Sequence, residues 1–326
     1  MITYIDDIEK INIDELAELL YESLPVRRKD SKTDIKKAYE GTTYALFGFV
    51  DNELAGAVRV LSDNIEWTII SEIAVKEKYR YQGIGKGLIN KVLEKFKGHE
   101  IFTYTYYDSL EFYEALGFKR SKNAFTYGGF NGEYLEEGLD NKEFYLKNGF
   151  KYETEFYPFA GIFPVGQKSN KDLSGVTIRY STEPVKNYVG INNLLIRAFG
   201  GHDRNVVSTT KAFDESRYVS YAFDGEKVVG CARAVSDGVL QALILNVAVD
   251  PDYQGLHIGG KVVENLCRQM KGQNLFLNTH PGGVGFYNRL PYKRNKTALL
   301  YPAHPDMPDD IAKGFVLPKG FKFADE

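Results

Sequence analysis

The sequence predicts an α/β (α+β) fold in two tandem copies, each a mixed, mostly antiparallel twisted sheet flanked by helices. Three observations predict it: an internal repeat in a single register, strands of period two alternating with helices of period 3.6, and a glycine-rich strand-to-helix turn in each copy. Shifting the chain by 174 residues aligns Thr3 with Thr177, Tyr44 with Tyr218, Phe49 with Phe223 and Gly56 with Gly230. It also aligns Arg59, Ser62 and Asp63 with Arg233, Ser236 and Asp237, and Ala74, Val75 and Tyr79 with Ala248, Val249 and Tyr253. Beyond these, Ile84-Gly85, Phe112-Tyr113 and Lys119-Arg120 fall on Ile258-Gly259, Phe286-Tyr287 and Lys293-Arg294, and Ala124 and Tyr127 on Ala298 and Tyr301. The expected organisation is a first domain over 1–130, a connecting segment over 131–174 and a second domain over 175–326.

Each copy reads in the same order. A strand (Ile2–Ile5; Val176–Arg179) precedes a helix with apolar spacing of three and four (Ile13–Ser23; Asn187–Phe199). A hairpin follows, Thr43–Val50 with Ala55–Leu61 and Tyr218–Asp224 with Val228–Val235, turning at Asp51-Asn52 and Asp224-Gly225. Next come a third strand (Thr68–Val75; Ala242–Val249) and a helix (Gly85–Phe96; Gly259–Met270). A strand, a helix (Ile101–Thr105 and Ser109–Leu116; Leu275–Thr279 and Gly283–Leu290) and one last strand complete the copy. Aromatic content of 14%, dense in Tyr and Phe, suits such sheets. Pro25–Glu40 and Gly200–Ser216 read as loops that select a substrate. Between the copies, Glu143–Lys151 echoes Glu111–Lys119, Asn141–Phe163 reads as a helix-strand addition and Gly166–Ser174 as a linker. Ser62-Asp63 and Ser236-Asp237 read as turn chemistry, Pro302–Pro308 as an extended loop and Asp309–Glu326 as a packed tail.

Composition narrows the function. The 326 residues are 43% hydrophobic and 26% charged, which excludes a disordered chain, and a net charge of −3 leaves no electrostatic footprint for nucleic acid. Two cysteines, Cys231 and Cys267, exclude a disulfide scaffold, and five scattered histidines form no metal-ligand spacing, so no metal is expected. Asp6, Asp7, Glu9, Asp14, Glu15, Glu18 and Glu22 argue against a secretory signal, and no apolar run reaches the roughly 18 residues a membrane span needs. The expectation is a cytoplasmic protein with no membrane partner, of open oligomeric state.

The chemistry lies in the turn. After the strand ending at Val75, the segment Arg80-Tyr81-Gln82-Gly83-Ile84-Gly85-Lys86 opens a helix, where unpaired backbone N–H groups and the helix dipole favour a phosphate or pyrophosphate. It matches neither Gly-x-x-x-x-Gly-Lys-Ser/Thr nor Gly-x-Gly-x-x-Gly. Together with Phe112-Tyr113-x-x-x-Gly117-Phe118, the pattern Arg80-x-x-Gly83-x-Gly85 resembles the two-part signature of the GNAT acyltransferase superfamily. The tyrosine lies 33 residues after the first signature position in both copies, from Arg80 to Tyr113 and from Gln254 to Tyr287, so the chain resembles a tandem GNAT N-acetyltransferase. The second copy is also similar to the plant plastid serotonin acetyltransferase type.

That resemblance implies acetyl-CoA as cosubstrate and a small-molecule or protein amine as acceptor, with no acyl-enzyme. Arg80, Tyr81, Gln82, Gly83, Ile84, Gly85 and Lys86 would cradle the pyrophosphate, and Ile73, Ala74 and Val75 would pair with the pantetheine arm and polarise the thioester carbonyl. Tyr113 would protonate the departing thiolate as a positioned donor, and Glu72 could take the amine's proton or be a solvated strand-end carboxylate. The second copy offers Val247, Ala248, Val249, Gln254, Gly255, His257, Ile258, Gly259 and Gly260 for the coenzyme and Tyr287 as acid. There His257 stands in the place of Gly83 and Pro291-Tyr292 in that of Gly117-Phe118, which makes the first copy the favoured active half. His tolerates positive φ better than most residues. The alternatives are a non-catalytic acyl-CoA-binding or sensing protein, or a tandem transferase using another acyl donor.

Overall fold

The computed structural model describes residues 2–128, 145–146, 150, 152, 175–199, 205–302, 315–318, 321 and 323. The expectations for Asn141–Phe163, Gly166–Ser174, Pro302–Pro308 and Asp309–Glu326 fall, but for isolated positions, outside those residues. In chain order the first elements are β1 (Ile2–Ile5), α1 (Ile13–Ser23), α2 (Lys32–Glu40), β2 (Tyr44–Val50), β3 (Glu53–Ser62) and β4 (Trp67–Val75). Then come α3 (Ile84–Lys95), β5 (Glu100–Tyr104), α4 (Leu110–Glu114), β6 (Lys119–Arg120) and β7 (Ala124–Gly128). The second repeat supplies β8 (Ile178–Ser181), α5 (Tyr188–Phe199), α6 (Val206–Asp214), β9 (Tyr218–Asp224), β10 (Lys227–Ser236) and β11 (Gln241–Val249). It ends with α7 (Ile258–Gln269), β12 (Asn274–Asn278), α8 (Val284–Tyr287), β13 (Lys293–Arg294) and β14 (Ala298–Tyr301).

Two seven-stranded sheets form, ordered β1-β2-β3-β4-β5-β14-β6 and β13-β7-β12-β11-β10-β9-β8. The pairs β1–β2, β2–β3, β3–β4 and β5–β14 are antiparallel, and β4–β5 is parallel. The mixed, mostly antiparallel sheet read from the sequence is what forms. Side chains alternate across the first sheet as a pleated strand requires. Along β2, Leu46 enters a core with Val58, Val60, Ile70 and the α3 residues Ile84, Leu88, Ile89 and Val92. Its neighbours Ala45 and Phe47 enter the opposite core with Leu16, Leu20, Ile35, Ala57 and Ala74 under α1 and α2.

The last strand of each repeat lies in the other sheet. β14 pairs with β5 through Ala298↔Tyr104, Leu299↔Thr103, Leu300↔Phe102 and Tyr301↔Ile101. β7 pairs with β12 in the equivalent register, Ala124↔Asn278 through Tyr127↔Leu275. Ring contacts repeat too, Phe118 with Tyr301 and Tyr292 with Tyr127 both at 5.2 Å between centroids. Two compact units result, and neither is one continuous stretch: the first comprises Met1–Lys119, Ser236–Gln241 and Thr297–Pro305, the second Arg120–Val235, Ala242–Lys296 and Asp306–Glu326.

Two segments read as loops contain helices. Within Pro25–Glu40, Pro25–Lys29 forms a 3-10 turn and α2 starts at a Ser31 cap, whose hydroxyl accepts from Asp34 N at 3.1 Å and donates to Asp34 Oδ2 at 2.7 Å. Within Gly200–Ser216, α6 is capped by Asn205, which accepts from Ser208 N at 2.8 Å. Both helices are short and carry few apolar residues, so periodicity understates them while the caps mark them. The hairpin of the second repeat turns one residue later than read, at Gly225-Glu226, with Asp224 facing Lys227.

Leu299 is fully buried in the α3 core although it belongs to the second repeat's sequence. Leu299→Ala is expected to destabilise the first unit by about 2–5 kcal/mol. Hydrogen exchange should show protection lost in β5 while β12 keeps its own.

Candidate functional site

The turn after β4 is built by two left-handed residues. Glu77–Tyr79 form a 3-10 turn, Arg80 is extended, and Tyr81 (φ 62°) and Gly83 (φ 86°) take the left-handed conformation, with Gly83 capping α3. The first helical bond is Gly87 N to Gly83 O at 2.8 Å, so the N–H groups of Ile84, Gly85 and Lys86 precede it at the positive end of the dipole. A Cβ added at Gly83 would meet nothing within 4 Å, so the turn is open on that side. At Gly87 it would lie 2.0 Å from the Tyr4 hydroxyl, which explains the third glycine by packing against β1.

The second repeat keeps this backbone with different residues. Gly255 (φ 86°) and His257 (φ 58°) occupy the two left-handed positions, and Lys261 N bonds His257 O at 3.2 Å to start α7. His257 thus adopts positive φ as expected, with its side chain exposed. Arg80 Nε donates to Val75 O at 3.3 Å, and Gln254 Nε2 donates to Val249 O at 3.3 Å. The amide therefore supplies the strand-end hydrogen bond of the guanidinium without its charge.

β4 provides the second feature. Opposite β3 the register runs Arg59↔Glu72 and then Val60↔Ile70, which leaves Ser71 as a bulge. Parallel pairing with β5 covers only Trp67–Ile70 against Glu100–Thr103. Past Ile70 the strand continues to Val75 with no strand partner among the described residues on that edge, so Ile73, Ala74 and Val75 line a wedge. α4 holds Tyr113 between Phe112 and Phe118, at 5.1 and 5.3 Å. Burial pushes the Tyr113 phenol up to about 12, against the smaller pull of a hydrogen bond with Thr103. It is therefore a protonated donor throughout the neutral range. Thr103 faces Ile70, the last paired residue of β4, so the phenol sits at the apex of the wedge. Tyr287 is likewise buried, packed on Phe125 and Tyr292 at 5.5 and 5.6 Å, and burial raises its phenol too.

Glu72, read as either a base or a solvated strand-end carboxylate, is not solvated. Its carboxylate is buried between two guanidiniums, accepting from Arg27 Nε at 2.7 Å and Arg59 Nε at 2.9 Å. Burial raises its pKa, but the charges and hydrogen bonds of Arg59 and Arg27 outweigh that and hold it at about 2. A carboxylate so committed takes up a proton poorly near neutral pH. Arg27, Arg59, Asp237 and Gln241, all buried around Glu72, were not anticipated as site residues. The one available signal was the pairing of Arg59 with Arg233 and of Asp63 with Asp237 in the repeat. The turn reading of the Ser-Asp pairs holds, since Asp63 Oδ1 accepts from the N–H groups of Ile65, Glu66 and Trp67, and Asp237 Oδ1 from those of Val239, Leu240 and Gln241. Among the described residues no His, Cys, Asp or Glu group could hold a metal, and no helix is long and apolar enough to cross a membrane. Tyr145, the echo of Tyr113, makes an isolated bridge to Asn295.

β4 thus parts from β5 beside a helix-opening turn, with the buried phenol of Tyr113 near the parting. The model of the acetyltransferase (GNAT) family matches residues 13–118 and 189–291, one match per repeat, and the chain belongs to that family. It is 31% identical over 118 residues to serotonin N-acetyltransferase 2, chloroplastic, of Oryza sativa subsp. japonica, covering 34% of this chain and 59% of that protein. It is 33% identical over 136 residues to GCN5-related N-acetyltransferase 1, chloroplastic, of Arabidopsis thaliana, covering 38% and 66%. The chain thus spans less than two thirds of either relative. Among solved structures, a GCN5-related N-acetyltransferase from Sphaerobacter thermophilus superposes with a TM-score of 0.51 at 14% identity, over 92% of this chain and 94% of that one. That likeness shows a shared fold over both repeats.

The buried ion pairs make a pH prediction. Because the pKa of Glu72 is depressed from 4.5 to about 2, its contribution is complete above the ordinary carboxylate range and is lost as the pH falls through about 2. At neutral pH it amounts to about 3 kcal/mol. Denaturant titrations of wild type and Glu72→Gln should differ most at neutral pH and converge between roughly pH 4.5 and 2.

Proposed function

We propose that this chain transfers an acetyl group from acetyl-CoA directly to an amine, with the first repeat as the active half. The observation that carries the reading is the stretch Ile73–Val75, which past Ile70 has no strand partner on the β5 edge among the described residues, beside the open turn at Gly83 and the buried phenol of Tyr113. The residues fit the cosubstrate: the N–H groups of Ile84, Gly85 and Lys86 suit a pyrophosphate, and the free edge of β4 suits the amide-bearing pantetheine arm. On this reading a backbone N–H of Ile73–Val75 polarises the thioester carbonyl, the neutral amine attacks it to form the C–N bond, the C–S bond breaks as Tyr113 gives its proton to the departing thiolate, and the proton lost by the nitrogen restores the Tyr113 phenol. Glu72 plays no part in proton transfer, so the amine enters already deprotonated. Cytoplasmic action is part of the same proposal, although the two plant relatives carry the word chloroplastic in their names. The rice relative's name makes serotonin the first amine to test.

Calorimetric titration of acetyl-CoA into wild type, Gly83→Asp and His257→Asp tests the coenzyme part. Asp tolerates the left-handed conformation and at Gly83 projects into open space, so lost binding reports charge at the turn. Loss with Gly83→Asp alone is the expected result, and binding that survives both substitutions overturns it. In an amine screen Tyr113→Phe is expected to lower kcat by about 100-fold or more. Loss with Tyr287→Phe instead would make the second repeat the active half. Tight binding without transfer to any amine would favour an acyl-CoA sensor, and indifference to acetyl-CoA would favour another acyl donor.

A further inference from the structure

A buried charge cluster underlies the end of β4, and part of it comes from outside the first repeat. Glu72 holds Arg27 and Arg59, and Arg27 Nη1 also reaches Asp30 Oδ2 at 3.1 Å. Arg59 is fully buried, with its guanidinium 5.6 Å from the Tyr39 ring centroid, and Glu72 is the carboxylate of the first repeat that meets it. At its outer edge Arg59 donates from Nη1 to Asp237 Oδ2, and its Nη2 lies 3.3 Å from the side-chain amide of Gln241, so residues outside the first repeat cover donors that burial would otherwise leave costly. Gln241 completes the cluster. With its amide oriented to satisfy both ends, Oε1 accepts from Arg27 Nη2 at 2.8 Å and the nitrogen faces Ser71 Oγ and O at 3.2 Å. Asp237 and Gln241 lie on the segment Ser236–Gln241, which belongs to the first compact unit.

The second repeat differs at three of these positions. At the positions of Arg27, Tyr39 and Glu72 its sequence has Gly201, Phe213 and Asn246. Arg233, the counterpart of Arg59, meets Asn246 Oδ1, Ala212 O and Ser216 Oγ. The cluster around Glu72 thus rests on charged residues, Arg27 and Glu72, whose counterparts in the second repeat are neutral. It lies where the α1–α2 connection meets the end of β4, since Ser23 Oγ donates to Val75 O at 3.1 Å and Glu22 Oε1 accepts from Glu77 N.

We propose that Asp237 and Gln241 are positioning residues for the first repeat's site: Asp237 through Arg59 and Glu72, and Gln241 through Ser71 and Arg27, fix the bulge of β4 and the Pro25–Asp30 segment on the amine side. The functional part of this rests on the acetyl-transfer reading. Under it, the second repeat contributes a strand and a turn without which the first site is incomplete, whether or not its own turn binds coenzyme. Acceptor affinity is then set by residues some 200 positions from the segment they hold.

Hydrogen exchange on the full chain tests the positioning without an acceptor. Asp237→Asn keeps Oδ1 for the turn and removes only the charge facing Arg59. The amides of Arg27 and Asp30, bonded to Leu24 O and Arg27 O, should exchange roughly 10- to 100-fold faster, the size of a lost charged hydrogen bond. Gln241→Leu, which leaves every charge in place, should loosen the same two amides and serves if the first variant fails to fold. If only the amides of Val239, Leu240 and Gln241 loosen in both variants, the proposal is overturned. With an amine from the screen, KM for the amine should rise about tenfold while the acetyl-CoA dissociation constant and kcat stay within about twofold. Equal losses in kcat and coenzyme binding would mark a merely structural role. Failure of wild type to bind acetyl-CoA would sink the transfer reading while the exchange pattern still decides the positioning.

Discussion

A sheet that stops at β5 leaves a row of unpaired N–H and C=O groups against a core that still needs covering. In the first unit β14 closes that edge and delivers Leu299 into the cluster that also holds Ile84, Leu88 and Val92 of α3. The helix whose first turn presents the N–H groups of Ile84, Gly85 and Lys86 is therefore seated partly on a side chain from the second repeat. Phe118 against Tyr301 ties the end of the α4 hairpin to the same strand, and Phe118 in turn packs on Tyr113. Turn, apex tyrosine and closing strand share one core, so disturbance of any one is felt by the other two.

Burying charge is expensive, and the first repeat does so beside its site. Two guanidiniums and the carboxylate of Glu72 are removed from water together, and each oxygen of Glu72 faces a different arginine. Such a group is stiff in geometry and locked in protonation state, which disqualifies it as a proton acceptor and suits it to hold backbone. The bulge at Ser71 lies directly before Glu72, so the cluster acts at the point where β4 parts from β5. Asn246 has positive φ (50°) at the equivalent place, so the second repeat keeps an irregular backbone there with an amide in place of the carboxylate.

The two turns show how one backbone survives different side chains. Each has two left-handed residues, with glycine at the second of them in one copy (Gly83) and at the first in the other (Gly255). Tyr81 and His257 take the remaining positions, both solvent-facing, where the cost of the left-handed region falls on the turn without disturbing a core. Chemistry differs more than geometry: one turn is flanked by Arg80, the other by Gln254.

Local pattern determined most of the elements. Ile2–Ile5, Ile13–Ser23 and Tyr218–Asp224 form with the boundaries read from periodicity, because alternation and three-four spacing are written in adjacent residues. The turn at Gly83 and the place of Tyr113 were legible for the same reason, as short patterns at fixed spacing. The exchange of β7 and β14 was not. Ala124–Tyr127 and Ala298–Tyr301 match at both ends, so either strand offers either sheet edge the same ladder, and only long-range packing chooses. The fate of Glu72 was hidden likewise, because its partners at 27, 59, 237 and 241 meet only when the sheet and the returning turn are assembled. What the sequence by itself determined was the repeat, its elements and the glycine turn that opens the helix. Tertiary structure alone decided which strand completes which sheet and which carboxylate is free to react, since both depend on burial and pairing between residues far apart in the chain.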